Sequence, residues 1–225
     1  MTRLLAGAFV VLALAAAPLA GQHARLFPPE NLGLLEGPDR DAYQRPDQIM
    51  DALLIGDGST VADLGAGGGW FTVRLARRVG PKGKVYAEDV QPPMLQAIER
   101  RVAREELKNV IIVLGTQTDA NLPAGSLDAV LIVDAFHEWE QPVTLLRNIA
   151  GSLKPSLVRE GGLVQGGVIG IINYKKDGGG PGPPMEERVD PEKVIQDARA
   201  AGLVLRKRET FLRYQHLLTF GLPPK

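Results

Sequence analysis

Between Val61 and Phe220, short apolar runs alternate with stretches whose apolar residues recur at three- and four-residue spacing. No other feature constrains the fold as strongly. Residues 61–64 read as a strand, and Phe71, Leu75, Ala76 and Val79 mark one face of a helix that stops at Gly80-Pro81. Residues 85–87 are a second strand, followed by a helix with Met94, Ala97, Ile98 and Val102 inward. Residues 110–114 and 129–133 are continuous apolar runs, as expected of parallel strands covered on both faces. A helix over 142–153, a strand over 167–173 and a helix over 191–201 follow. Residues 204–209 and 215–220 are two strands with no helix between them, hence a hairpin with one strand antiparallel at the sheet. The pattern predicts an α/β fold, a doubly wound, mostly parallel seven-stranded sheet with a C-terminal antiparallel hairpin.

The N-terminal residues differ in kind. Arg3 is the single charge in residues 1–20, and an apolar run from 4 to 17 ends in Ala15-Ala16-Ala17-Pro18-Leu19-Ala20. Basic start, apolar middle and small residues near a cut are the plan of a secretory signal. The run is shorter than the roughly 17–25 residues of a spanning helix, which favours a signal over an uncleaved anchor. The expectation is therefore a signal peptide at 1–20, an N-terminal arm at 21–45 and one domain at 46–225, in an exported protein. Residues 26–39 carry Pro28-Pro29, Gly33, Gly37 and Pro38 and read as an extended arm across the domain. A helix then starts at Pro46, with Ile49, Met50, Leu53 and Leu54 recurring at three- and four-residue spacing until Gly56 and Gly58 end it.

Composition narrows the chemistry. Twenty-six basic residues balance twenty-six acidic ones, so no global field would hold a nucleic acid. There is no cysteine, which removes disulfides, thiolate metal sites and thiol nucleophiles. Nothing else in the sequence asks for a metal.

The turn after the first strand is Asp63-Leu64-Gly65-Ala66-Gly67-Gly68-Gly69. Glycines there let the backbone turn sharply and approach a ligand, and the next helix presents free N–H groups. The dinucleotide pattern Gly-x-Gly-x-x-Gly fails at Trp70, which argues against a nicotinamide oxidoreductase. The run VADLGAGGGWFT at 61–72 instead resembles the first motif of class I S-adenosylmethionine-dependent methyltransferases, acid-x-Gly-x-Gly-x-Gly. Asp89 stands where that family has its second acid, at the end of the second strand. The resemblance runs through nearly all of 49–220 and implies a Rossmann-like methyltransferase fold with S-adenosylmethionine as cofactor. It departs at Ser156, where an inserted loop over 156–166 intervenes before the fifth strand.

The resemblance implies roles for named residues. Gly65, Gly67 and Gly69 would make room for the methionyl part of the cofactor, with Asp63 near its ammonium end. Asp89 would accept the ribose hydroxyls, in preference to Glu88 on the other face. Thr116, Gln117 or Asp119 would border the adenine, with Gln117 preferred, and Asp134 and Tyr43 would also touch the cofactor. In Asp134-Ala135-Phe136-His137-Glu138-Trp139, His137 is the candidate base and Glu138 reads as a solvated charge. Arg188 either faces substrate or pairs with neighbouring acids, and the breaker-rich segment 178–184 is either a lid over the site or a surface linker. The expected function is methyl transfer to a small-molecule acceptor, against a non-catalytic cofactor-binding scaffold.

Overall fold

The computed structural model describes residues 26–158 and 164–224. The expected signal peptide and the first residues of the arm lie outside the described residues. One sheet organises the chain: β1 (Thr60–Leu64), β2 (Lys84–Asp89), β3 (Val110–Leu114), β4 (Ala129–Val133), β7 (Val168–Tyr174), β8 (Val204–Glu209) and β9 (Gln215–Gly221). Their order is β3-β2-β1-β4-β7-β9-β8, parallel except for β9, which runs antiparallel to both β7 and β8. The predicted seven-stranded sheet and terminal hairpin are both present.

Successive side chains of a strand point to opposite faces, and both faces of the sheet centre are covered. Ala62, Val130, Ile132 and Ile171 pack with Leu146 and Ile149 of α5 (Pro142–Ser152) and Ile195 of α6 (Pro191–Ala200). Val61, Ala129, Leu131 and Ile172 pack with Ile49 of α2 (Pro46–Ala52) and Leu75 of α3 (Trp70–Val79). Each fully buried aliphatic side chain contributes about 1.5–3 kcal/mol, so the two layers fix the sheet between them. α4 (Pro92–Arg104) adds Met94 and Ile98, both buried, beside β2 and β3.

Several expectations need correction. β3 is the outermost strand, and Ile111 and Leu114 are 40% and 51% exposed, so it is not covered on both faces. Leu54 lies past the end of α2 at φ 55°, 86% exposed, rather than within the helix. The arm is not extended: Pro29–Glu36 is a 3-10 helix and Arg40–Gln44 a short α-helix, α1. In the insert, β5 (Leu157–Val158) and β6 (Val164–Gln165) pair as a small antiparallel ribbon. Among the described residues no helix is long and apolar enough to cross a membrane.

Strand order reverses direction between β1 and β4. The crevice outside their carboxyl ends is where an open α/β sheet binds ligands.

Candidate functional site

Three successive odd-numbered glycines make the turn out of β1, with φ of 65° at Gly65, 55° at Gly67 and 77° at Gly69. This left-handed region is cheap only for glycine. A Cβ at Gly65 would stand 2.6 Å from the Ala135 Cβ, because the turns after β1 and β4 touch there. Asp89, the last residue of β2, locks the turn: its Oδ2 accepts the Gly67 N–H at 2.9 Å and its Oδ1 the Gln91 N–H at 2.9 Å. Asp63 shares the α3 face of the sheet and accepts the Thr72 hydroxyl at 2.6 Å. Glu88 starts from the opposite face, yet its Oε2 reaches the Gly65 N–H at 3.3 Å.

Above this turn lies a cavity of about 650 Å³, within the range of small-molecule sites. Tyr43, Asp63, Gly65, Gly67, Asp89, Gln117, Asp134 and His137 all line it. Glu88 lines it too. Gly69 does not: it caps α3, and a Cβ there would meet the Ile98 side chain at 3.3 Å, so its role is helix packing. Thr116 and Asp119 are occupied locally, the Thr116 Oγ1 accepting the Asp119 N–H and the Asp119 Oδ1 accepting from Asn121 and Asn148.

Desolvation dominates the electrostatics. Burial pushes the Asp63 carboxyl up to about 6, opposed by the Thr72 hydroxyl and by Arg40. It pushes Glu88 up to about 8, opposed by the Gly65 N–H, so this group keeps its proton at neutral pH. Asp134, in the left-handed region at φ 53°, is raised to about 7 by burial, opposed by the Arg40 charge and by Gln215. Its Oδ2 accepts from Gln215 Nε2 at 2.7 Å, and Gln215 in turn accepts from Gln44 at 3.1 Å. Its Oδ1 is buried with no hydrogen-bond partner, an orphan acceptor that a ligand donor would satisfy.

The far end of the cavity is built by three elements that sequence reasoning did not join. Burial lowers the His137 pKa despite the opposing Glu187 charge, which keeps the imidazole neutral. Glu138 is not a solvated charge. It is half-buried, raised to about 7 by desolvation, and its Oε1 stands 3.9 Å from His137 Nε2. Its Oε2 accepts the Phe27 N–H at 3.1 Å, and the Phe27 carbonyl accepts from Gln91 Nε2 at 3.0 Å, so the arm straps across both halves. Arg188 neither faces substrate nor pairs with an acid: it donates to the carbonyls of Lys175, Gly179, Pro181 and Pro183. Those bonds set Pro181–Pro184 as a wall of the cavity, with the guanidinium 5.2 Å from the centre of the Tyr174 ring. Glu138 reads as a surface charge in sequence because the Phe27 arm that covers it is far away along the chain, and nothing in the sequence singles out Tyr174.

The donor set suits S-adenosylmethionine. A positive-φ glycine cradle leaves backbone room, Asp89 has lone pairs left for two hydroxyls, and the orphan Asp134 Oδ1 can meet an ammonium. Among the described residues, no group of three or more His, Asp or Glu could hold a metal ion.

Comparison with known proteins agrees. Residues 61–156 match the family described as Methyltransferase domain. A Mycobacterium tuberculosis protein described as an uncharacterized methyltransferase is 33% identical over 141 residues, 60% of this chain and 50% of that one. A demethylmenaquinone methyltransferase of Geobacillus stearothermophilus is 30% identical over 107 residues, 48% of this chain and 46% of that one. The chain thus spans about half the length of the curated relatives it matches. A solved SAM-dependent methyltransferase from Aquifex aeolicus superposes with a TM-score of 0.78 at 28% identity, over 87% of this chain and 98% of that one. With a glycine turn, a β2 carboxylate and a sheet order that all agree, residues 61–156 carry a methyltransferase domain on the fold of the S-adenosylmethionine-dependent methyltransferases.

Proposed function

We propose that the protein transfers the sulfonium methyl group of S-adenosylmethionine to a small-molecule acceptor. The Gly65–Gly67 turn, pinned by Asp89 beneath a cavity of about 650 Å³, carries this reading. S-adenosylmethionine supplies a methyl group on positively charged sulfur, an electrophile that needs only an aligned nucleophile. Asp89 holds the ribose hydroxyls, Gln117 borders the adenine, and Asp63 and Asp134 face the cationic methionyl end. Tyr43 and Arg40 close that end from the arm. His137, neutral at pH 7, accepts the proton that the acceptor loses. The size of the cavity and the small-molecule substrate in the name of the Geobacillus relative support a small acceptor.

We also propose that the domain works outside the cytosol, on the strength of the N-terminal run from 4 to 17. Cell fractionation with and without that run tests the location.

Titration of the full chain with S-adenosylmethionine, S-adenosylhomocysteine and NAD tests the main reading. Micromolar binding of the two sulfur ligands, weakened in Asp89→Ala and absent for NAD, is expected. A folded protein that binds neither sulfur ligand would overturn it. Binding with no methyl release to any acceptor would favour the scaffold instead.

A further inference from the structure

We propose that the acceptor is an amine carried on an apolar body, taken into the far end of the cavity as its ammonium form. This rests on the methyl-transfer reading and adds the class of acceptor.

Beside His137 the cavity is lined by Glu138 and Glu187, both acidic. Arg40 is the one arginine or lysine among the described residues lining the cavity, and it is committed elsewhere. Its Nε donates to Gln44 at 3.1 Å, an Nη donates to the Leu35 carbonyl, and its Cζ lies 4.3 Å from the centre of the Trp70 ring. The nearby Arg188 is occupied by four loop carbonyls. An anionic acceptor would find like charge and no cation to pair with. An ammonium finds the carboxylates of Glu138 and Glu187 beside the His137 imidazole. Phe27, Trp139 and Pro183 add apolar walls and aromatic faces suited to a cation with an apolar body.

The chemistry balances. The ammonium gives one proton to His137 Nε2, and the imidazolium so formed is stabilised by Glu138 Oε1 at 3.9 Å. The freed nitrogen lone pair then forms the N–C bond while the C–S bond breaks and its electron pair stays on sulfur. The products are a methylated ammonium and a neutral thioether.

The test uses the full chain saturated with S-adenosylhomocysteine and titrated calorimetrically with a panel of primary amines of increasing apolar body. Each amine has a matched alcohol and a matched carboxylic acid, as in phenethylamine, 2-phenylethanol and phenylacetate. The expected result is at least one amine bound about tenfold tighter than its alcohol, with the acids not bound. The double variant Glu138→Gln, Glu187→Gln should lose about tenfold for that amine and keep its S-adenosylhomocysteine affinity, which also shows that it folds. With S-adenosylmethionine, the same amine should gain one methyl group by mass spectrometry. An acid or alcohol preferred over every amine, or no amine preference anywhere in the panel, would overturn the proposal while leaving methyl transfer standing. Failure to bind S-adenosylhomocysteine at all would overturn both.

Discussion

Glu138 accepts the backbone N–H of Phe27 across 111 positions of sequence, and this one bond joins the turn after β4 to the arm. Removing the acceptor in Glu138→Ala should free the strap and weaken S-adenosylhomocysteine binding about fivefold, near 1 kcal/mol. Glu138→Gln retains a carbonyl acceptor and should stay close to the unsubstituted protein. Limited proteolysis around Phe27 provides the independent check, and equal cleavage in both variants would contradict a strap held by this bond.

Asp89 has structural and binding duties that separate by substitution. Asp89→Ala leaves the Gly67 and Gln91 N–H groups without their acceptor, which should cost roughly 1–3 kcal/mol of stability. Asp89→Asn can still accept one of them, so it should recover much of the stability while remaining at least about tenfold weaker for the cofactor. Chemical denaturation beside ligand titration reads the two effects apart.

Raised carboxyl pKa values predict a particular pH response. Asp63 and Asp134 titrate at about 6 and about 7 in the fold, above their unfolded values, so the native state holds protons that the unfolded chain has released. Their contribution to stability is therefore lost as pH rises through those values. A cationic ligand favours the ionised carboxylates, so affinity for S-adenosylmethionine should increase over the same interval, more than for uncharged-sulfur S-adenosylhomocysteine. Asp134→Asn should flatten the upper part of the trend. Identical pH profiles for the two ligands would refute the assignment.

Gly65 predicts a substitution that cannot be repaired from one side. Gly65→Ala adds a Cβ 2.6 Å from that of Ala135 and also forces φ 65° on a side-chain-bearing residue. Adding Ala135→Gly removes the clash and leaves the backbone strain, about 1–2 kcal/mol. Thermal unfolding should show partial rescue, and full rescue would mean that the turn relaxes out of the left-handed region.

The sheet was legible because short apolar runs in strands and a three-to-four-residue spacing in helices are local properties of the chain. Asp63, Gly65 and Asp89 were legible through a motif resemblance, each standing at or just past a strand end. The exposure of Ile111 and Leu114 was not, since a strand's position at the sheet edge depends on the order in which distant strands pair. Glu138 was misread because its burial comes from an arm 111 residues away. Gly69 belonged to the motif by spacing but faces Ile98, a contact that only the packed helix α4 creates.

Arg188 grips the Lys175–Pro183 segment by four carbonyl oxygens, and carbonyls are the one feature every amino acid shares. The anchorage is therefore blind to which side chains the segment carries. Descendants of this chain can exchange those side chains, and with them the molecules admitted, without rebuilding the scaffold that holds the segment in place.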